Sequence, residues 1–496
     1  MDEYFSDIDW SGNSFSEFEL SNIIYSLNQA GIEAPQIKTA CELAFGMGVM
    51  ISSYAASMPA TKWYGTDLNQ SHVELTAELG YSIDTTLSLF NEPFSEFQHR
   101  KDLPKFDLIV LTGTWSWISE DDRNNVVDFL NKHLKENGVF AVHYLTLPGS
   151  AADLPFRWQA MDYLPDPIPV GADVAKMIPE LLDAVQHRLK VNHSYRRDHP
   201  LQEKFIEALR KKDPELVAHE FFNINWSPIR VKEMASRLKA ANLNYGCTLQ
   251  PMHNIDQVNL STEQVKYLQG TTDKTERESA YDFFVDRSSR IDCWLKNNST
   301  LTKKHETDSN NLKFLQVANW PPRTDVCDGA LGTFQLDIDT LKIVLEAALA
   351  AKTTSLESIK SAIRNPSINS NDIKNSLWML INLGILKPGF SSVSKTAVEN
   401  CTSLNRKLFS VIEQSKANIG HIASPVIGGA IEIDPDLFGV VIGWMNGHRS
   451  EEELSDFVVS SNLKKQPANE RLYKIQGLSK KFVQDSQHHF RALGII

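Results

Sequence analysis

The segment from Glu42 to Gly48, Glu-Leu-Ala-Phe-Gly-Met-Gly, has the composition of a ligand-binding turn. It joins a predicted strand, KTACELAF, to a predicted helix, ISSYAASM, and glycine at such a junction lets the backbone approach a ligand closely. The spacing fits the Gly-x-Gly-x-x-Gly pattern of pyrophosphate-binding turns poorly, since Ala44 precedes Gly46. Because Glu42 is acidic, the pattern favours a cationic ligand; a purely structural glycine turn is the alternative.

Polar residues follow the next two predicted strands. Asp67, with Leu68 beside it, ends the strand KWYGT about 20 residues beyond the turn, where a carboxylate can accept hydrogen bonds from two ribose hydroxyls. Capping of the following helix is the alternative for Asp67. Asn91 and Glu92 follow the segment TTLSLF, where such a pair either meets an adenine amino group or is an ordinary polar loop.

A further candidate group follows the strongly apolar strand FDLIVL. Thr112, Gly113, Trp115 and Trp117 come directly after it, at the edge where ligands bind in open α/β sheets. The two tryptophans are expected either to form the wall of a substrate channel or to lie in the core against the next helix.

The next predicted strand, GVFAVHYLTL, contains His143 and Tyr144. His143 is a candidate general base, with a structural histidine as the alternative. Because side chains alternate along a strand, only one of the two residues is expected to face the site.

Strands alternating with helices from Ile37 to Gly149 predict a parallel sheet and an α/β fold. Helical periodicity without a strong strand predicts a helical domain over residues 173–296, and polar residues 297–308 predict a linker. Three short helical patterns and a turn predict a winged-helix-like unit after it. The predicted domains are 1–165 (Rossmann-like), 166–300 (helical), 301–394 (winged-helix-like) and 395–496 (winged-helix-like tail).

The composition disfavours nucleic-acid-binding, disulfide-rich and membrane-spanning proteins. The 496 residues carry a net charge of −12, which disfavours binding to phosphate backbones, so nucleic acid is not an expected partner. Five scattered cysteines without a Cys-x-x-Cys pair predict neither a disulfide framework nor a metal site, and they fit a cytoplasmic protein. We expect no signal peptide and no membrane span, because no stretch approaches roughly 20 apolar residues.

Taken in order, the motifs resemble those of bacterial class I methyltransferases that carry a methyltransferase regulatory domain. This group includes the rickettsial protein lysine methyltransferases that modify outer-membrane protein B. The motifs are the Glu42–Gly48 turn, Trp63–Asp67, Phe106–Ile109, Trp115–Ser119 and Tyr144–Gly149. Similar motifs beyond them are Ala218–Phe222 with Asn225–Pro228, Tyr281–Phe283 with the Arg287 region, and Ala423–Val426 with Asn446-Gly447.

The resemblance implies S-adenosylmethionine as the cofactor, a middle domain that covers the site and a homodimer. The implied cofactor-binding residues are Glu42, Ala44, Gly46, Gly48, Asp67, Leu68, Asn91, Glu92, Thr112 and Gly113. The catalytic residues that we predict are Trp115, Trp117, His143 and Tyr144.

Three hypotheses for the function stay open, two of which differ in the methyl acceptor. A lysine on another protein is the first, and a small molecule or glycan methylated on oxygen is the second. A non-catalytic interaction protein that keeps the fold is the third. Ala44 replaces a common glycine, Leu145 a usual Asn and Ser150 a frequent Trp, and the last two lie beside the expected acceptor site.

Overall fold

The computed structural model describes residues 15–297, 311–414, 419–461, 463 and 468–496. The predicted linker, residues 297–308, lies outside this description apart from Asn297. The described residues contain a seven-stranded sheet and three two-stranded sheets. The strands are β1 (Thr39–Leu43), β2 (Lys62–Thr66), β3 (Leu87–Phe90), β4 (Phe106–Leu111), β5 (Leu134–Leu145), β6 (Leu243–Thr248), β7 (Ser289–Lys296), β8 (Leu312–Gln316), β9 (Val326–Gly329), β10 (Gly332–Gln335), β11 (Leu386–Phe390), β12 (His421–Ser424) and β13 (Gly429–Glu432).

Helices build most of the remaining described chain. Those up to the end of the central sheet are α1 (Leu20–Gln29), α2 (Val49–Ser57), α3 (Gln70–Gly80), α4 (Phe94–Phe97), α5 (Glu120–His133), α6 (Leu154–Met161), α7 (Gly171–Val191), α8 (His193–Asp198), α9 (Gln202–Leu209), α10 (Pro214–Phe222), α11 (Val231–Leu238), α12 (Asp256–Asn259), α13 (Thr262–Gly270) and α14 (Lys274–Phe284). Those after it are α15 (Ile338–Ala350), α16 (Leu356–Ala362), α17 (Ser370–Asn382), α18 (Lys395–Glu413), α19 (Pro435–Met445), α20 (Glu451–Ser460), α21 (Ala468–Lys481) and α22 (Gln487–Ala492). No helix in the described ranges combines the length and apolar character that a bilayer span requires.

The central sheet has the strand order β3-β2-β1-β4-β5-β7-β6. Strands β1 to β5 are parallel to their neighbours, whereas β7 runs antiparallel between β5 and β6. The order reverses between β1 and β4, and open α/β sheets bind ligands in the crevice at such a reversal. The predicted α/β fold is confirmed, and the glycine turn after β1 lies at this crevice.

Burial of both faces explains the continuous apolar sequence of β4. Leu108 and Val110 lie in the core on one face of the sheet, and Ile109 and Leu111 lie in the core on the other. A strand covered on both sides needs apolar residues at successive positions rather than at alternate ones.

The prediction that residues 173–296 are entirely helical is wrong. Strands β6 and β7 lie in this range and complete the central sheet, so the chain from 166 to 300 is not a separate helical domain. The sequence pattern did not predict β7 as a strand, because buried polar residues interrupt its run of apolar residues. Arg290 and Asp292 of β7 are fully buried, and Arg290 Nε donates to Asp292 Oδ2 at 2.7 Å.

A helical subregion does precede these strands. Helices α6, α7, α9 and α10 enclose a small apolar core of their own, which contains Phe156, Ile178, Leu182 and Phe222. This subregion follows β5 directly and returns the chain to the carboxyl edge of the sheet.

The three helices predicted between residues 312 and 389 are confirmed as α15, α16 and α17. They pack with the antiparallel pair β8–β11 around the buried Trp378. The winged-helix assignment of this region and of the tail stays a prediction.

Helix α2 links the glycine turn after β1 to the C-terminal region. All its residues are buried, and Ile51 and Tyr54 share one continuous core with Leu404 and Leu408 of α18. The helix has no charged residue, and its apolar residues and serines alike are enclosed on every side. The C-terminal region therefore supports the helix that follows the glycine turn.

Candidate active site

The glycine turn between β1 and α2 has a left-handed backbone at alternate positions. Ala44, Gly46 and Gly48 have φ values of +53°, +57° and +70°. A Cβ added at Gly48 would lie 2.0 Å from Thr76 Oγ1 of α3, so only glycine fits there. Ala44 takes the conformation that usually selects glycine, and the turn forms despite the substitution.

Asp67 at the end of β2 binds the glycine turn directly. The backbone N–H of Gly46 donates to Asp67 Oδ2 at 2.8 Å, and the N–H of Asn69 donates to Oδ1 at 2.9 Å. His72 Nδ1 lies 3.1 Å from the same Oδ1. The alternative that Asp67 caps α3 does not hold, because the side chain of Asn69 takes that position and accepts from the N–H of Ser71. Asp67 thus ties the turn to β2.

Glu42 is a buried carboxyl at the end of β1. Its side chain is 2% exposed, and its Oε2 has no hydrogen-bond partner among the described residues. Burial, and then the charge of Asp67, raises the pKa of Glu42 well above its ordinary value. A cationic ligand in the crevice would satisfy this oxygen. Thr112 Oγ1, at the end of β4, is likewise buried without a partner in the described chain.

The residues predicted near the adenine have contacts within the protein. Asn91 Nδ2 donates to the carbonyls of Asp67 and Leu68 at 3.0 and 2.9 Å. Glu92 Oε1 accepts from Arg100 at 2.5 Å. Asn91 therefore fixes the loop after β2, while the side chain of Leu68 is 44% exposed at that loop and available to an apolar ligand face.

An aromatic cluster, made of Phe15, Trp117, His143 and His219, lies on the β4–β5 side of the crevice. The ring centroid of Trp117 is 6.1 Å from those of both His143 and His219, and Phe15 is 5.2 Å from His143. Trp117 Nε1 donates to the carbonyl of Glu220 at 3.1 Å, which binds α10 over this edge of the sheet. The cluster therefore joins residues from four separate parts of the chain.

Two predicted catalytic residues lie elsewhere. Trp115 is fully buried in the core beside Ile118 and Ile229. Of the two alternatives for this residue, the structure therefore supports a place in the core rather than in the wall of a channel. Tyr144 is also fully buried, and its hydroxyl donates to Asp292 Oδ2 at 2.6 Å. Strand alternation turns Tyr144 away from the side of β5 that carries His143, as expected. The catalytic assignments of Trp115 and Tyr144 are thus corrected to structural ones.

Both histidines of the aromatic cluster are neutral at pH 7. Burial lowers the pKa of His143 to about 4 and that of His219 to about 3. Asp153, just after β5, has its pKa raised to about 6, chiefly by burial; Lys212 opposes the shift and Glu220 adds to it. The aromatic cluster therefore contains neutral imidazoles, while the carboxylate of Glu220 pairs with Lys212 at 2.9 Å.

His219 and Phe15 were missed in the sequence. His219 belongs to the Ala218–Phe222 motif, but nothing in its spacing indicates that it meets Trp117 and His143. No group of three or more potential His, Cys, Asp or Glu ligands for a metal occurs in the described ranges.

Parts of the chain are similar in sequence to known proteins. Residues 213–296 match the family described as "Predicted methyltransferase regulatory domain". An uncharacterised protein of Synechocystis is 26% identical over 84% of this chain and 81% of its own length. An uncharacterised protein of Rickettsia prowazekii is 29% identical over 24% of this chain and 48% of its own.

Among solved structures, PKMT2 from Rickettsia typhi in complex with AdoHcy aligns with a TM-score of 0.66 at 17% identity. The alignment covers 97% of this chain and 99% of that one. The chain therefore has the class I methyltransferase fold. Residues 213–296, which match the regulatory-domain model, supply α10 over the aromatic cluster, together with β6 and β7.

Proposed function

We propose that this protein is an S-adenosylmethionine-dependent methyltransferase that methylates lysine side chains of a protein. The observation that carries the methyltransferase proposal is the unpartnered, buried carboxyl of Glu42 beside a class I glycine turn. The solved structure of PKMT2, which shares the fold over nearly the whole chain, contains AdoHcy.

The crevice fits the chemistry of this cofactor. A buried carboxyl is unfavourable unless it meets a donor or a cation, and the cofactor's ammonium is both. The Gly46–Gly48 turn allows the ligand to approach the backbone closely, and Leu68 offers an apolar contact for the adenine. Asp67 would accept from the ribose hydroxyls with the lone pairs that its backbone hydrogen bonds leave. When bound, S-adenosylmethionine supplies a methyl group activated by a positively charged sulfonium.

The aromatic cluster suits a lysine acceptor. The apolar rings of Phe15 and Trp117 disfavour the charged form of a lysine ammonium by desolvation. The desolvated ammonium then releases to water the proton that it must lose before attack, because the pKa of both imidazoles is too low for them to take it. The chain's own residues would thereby orient the amine and exclude water.

A specific observation also favours the second candidate, an O-methyltransferase acting on a small molecule. His143 Nδ1 has no hydrogen-bond partner among the described residues, so it is available to take a hydroxyl proton. A hydroxyl acceptor needs such a base more than a neutral amine does.

Calorimetric titration with S-adenosylmethionine tests the cofactor. We expect binding to the unaltered protein and at least a tenfold loss in Glu42→Gln, which keeps the shape but removes the charge. Glu96→Gln, an exposed acid on α4, is the matched control and should bind normally. Absence of binding to the unaltered protein would overturn the methyltransferase proposal.

Transfer of an isotope-labelled methyl group tests the acceptor. Label recovered as methyl-lysine after complete hydrolysis of the protein fraction supports the lysine proposal. Label in a small extractable product, lost in His143→Ala, would replace it with the O-methyltransferase.

A further inference from the structure

A cleft of about 420 Å³ lies in the C-terminal region between α18, α19 and α22. Its apolar lining includes Val398, Trp444, Met445 and Ile495. This volume is in the range of small-molecule sites, which combine apolar walls with a few polar groups that fix orientation.

Three arginines, Arg406, Arg449 and Arg491, line the same cleft. All three are exposed, and no side-chain carboxylate of the described residues forms an ion pair with them; Ile496 also lines the cleft. The chain as a whole carries a net charge of −12. The three guanidinium groups therefore make the cleft locally positive although the whole chain is negative. They create a positive potential beside the apolar walls of the cleft.

The arginine side chains are held by bonds that leave donors for a ligand. Arg449 donates to the carbonyls of Trp444 and His448 at 2.6 and 2.9 Å, and its guanidinium carbon lies 4.5 Å from the Trp444 ring centroid. Arg406 donates to the carbonyl of Met445 at 3.2 Å, and Arg491 to Gln487 at 3.3 Å. Since each guanidinium has five N–H donors, these bonds orient the groups without using them up.

The cleft is separate from the cofactor crevice. Val398, Thr402 and Arg406 follow one another at four-residue intervals and so lie on one face of α18. The opposite face of α18 binds the cofactor domain, where Lys407 pairs with Glu78 of α3 at 2.8 Å and Asn400 Nδ2 donates to the carbonyl of Asp84 at 3.1 Å. A ligand in the cleft would contact the outer face of the helix.

We propose that this cleft binds a small amphipathic anion, with a carboxylate or phosphate head on the arginines and an apolar body against Trp444 and Val398. Arginine binds both heads through paired N–H donors, so the two share one chemistry. The site does not depend on the methyltransferase proposal, and its occupancy is measured without any methyl transfer.

Calorimetric titration of the full chain with octanoate, octyl phosphate and uncharged 1-octanol tests the proposal. We expect one of the two anions, or both, to bind in a single saturable event, and the preferred anion identifies the head group. 1-Octanol should bind at least tenfold more weakly, because it lacks the charge-assisted hydrogen bonds.

Variants locate the binding. Arg491→Gln should weaken the anion at least tenfold, and Arg406→Lys, which retains the charge but not the paired donors, should weaken it less. Arg364→Gln, at an exposed arginine far along the chain, should have no effect. Equal binding of 1-octanol and the anions, or unchanged binding in folded Arg491→Gln, would overturn the proposal.

Discussion

Asp67 is the residue on which the geometry of the cofactor turn depends most directly. Its carboxylate accepts hydrogen bonds from the backbone of both the turn and the loop that starts α3. A charge-assisted bond of this kind contributes about 1.5–3 kcal/mol, and its loss would release the turn as well as a ligand contact.

We therefore predict that Asp67→Asn weakens binding of S-adenosylmethionine at least tenfold and lowers the free energy of unfolding by about 1–3 kcal/mol. Calorimetry and denaturant titration measure the two effects. Asp128→Asn, at an exposed position of α5, is the control. Normal cofactor affinity in Asp67→Asn would show that this carboxylate has no part in the site.

Ala44 has a left-handed backbone that costs a residue with a Cβ about 1–2 kcal/mol. Glycine avoids this strain but loses more entropy on folding, about 0.4–1 kcal/mol. We predict that Ala44→Gly leaves cofactor affinity unchanged and raises the free energy of unfolding by up to about 1 kcal/mol. Denaturant titration measures the change, and marked destabilisation would contradict the expected relief of strain.

His219 should make stability depend on pH. Its pKa in the folded protein, about 3, lies below the ordinary value of about 6.5, so between these values the unfolded chain binds the extra proton. Stability is therefore full above pH 6.5 and falls as the pH decreases towards 3. Each such imidazole contributes a slope of up to about 1.4 kcal/mol per pH unit.

We predict that His219→Gln reduces this slope between pH 6.5 and 4.5, as measured by denaturant unfolding at each pH. His187→Gln, at an exposed position of α7, should leave the slope unchanged. An identical slope in His219→Gln and the unaltered protein would mean that folding does not lower the pKa of this ring.

At the scale of elements, β7 is held between β5 and β6 by a buried ionic network. Arg290 donates to Asp282 at 2.6 Å and to Glu278 at 2.8 Å, besides its bond to Asp292, which also accepts from Tyr144. Removing the central cation would leave three acidic groups without its charge in an apolar setting.

We predict that Arg290→Met destabilises the protein by about 3–5 kcal/mol, because buried carboxylates then lack their partner. Thermal unfolding compared with the exposed-site variant Arg364→Met measures the loss. A change below about 1 kcal/mol would show that solvent reaches this network.

At the scale of the whole molecule, the cofactor domain and the C-terminal region share one core through α2 and α18. Elements so joined are expected to unfold together rather than as separate domains. The C-terminal region is thus a support for the cofactor turn, in addition to its own cleft.

We predict that Leu404→Ala, at a fully buried position of α18, lowers the free energy of unfolding by about 2–5 kcal/mol and shifts a single thermal transition. Leu472→Ala, where the side chain is exposed, is the control. Calorimetry that resolves two transitions, with only one shifted in Leu404→Ala, would contradict the shared core.

The sequence was sufficient to predict that the glycine turn, Asp67 and the end of β4 lie at one edge of the sheet. The glycine turn, Asp67 and the end of β4 each follow a strand that its own apolar residues reveal. Parallel strands then bring their carboxyl ends to one edge. These relations are local, or they follow from sheet topology, so residue type and spacing were sufficient.

Only the tertiary structure decided the rest. Tyr144 proved structural because Asp292, far along the chain, accepts its hydroxyl, and β7 was hidden because ion pairs replace apolar residues inside it. His219 reaches Trp117 and His143 because α10 folds back over the sheet. Such contacts join distant segments through packing and buried charge, and neither periodicity nor motif spacing records which distant side chains will meet.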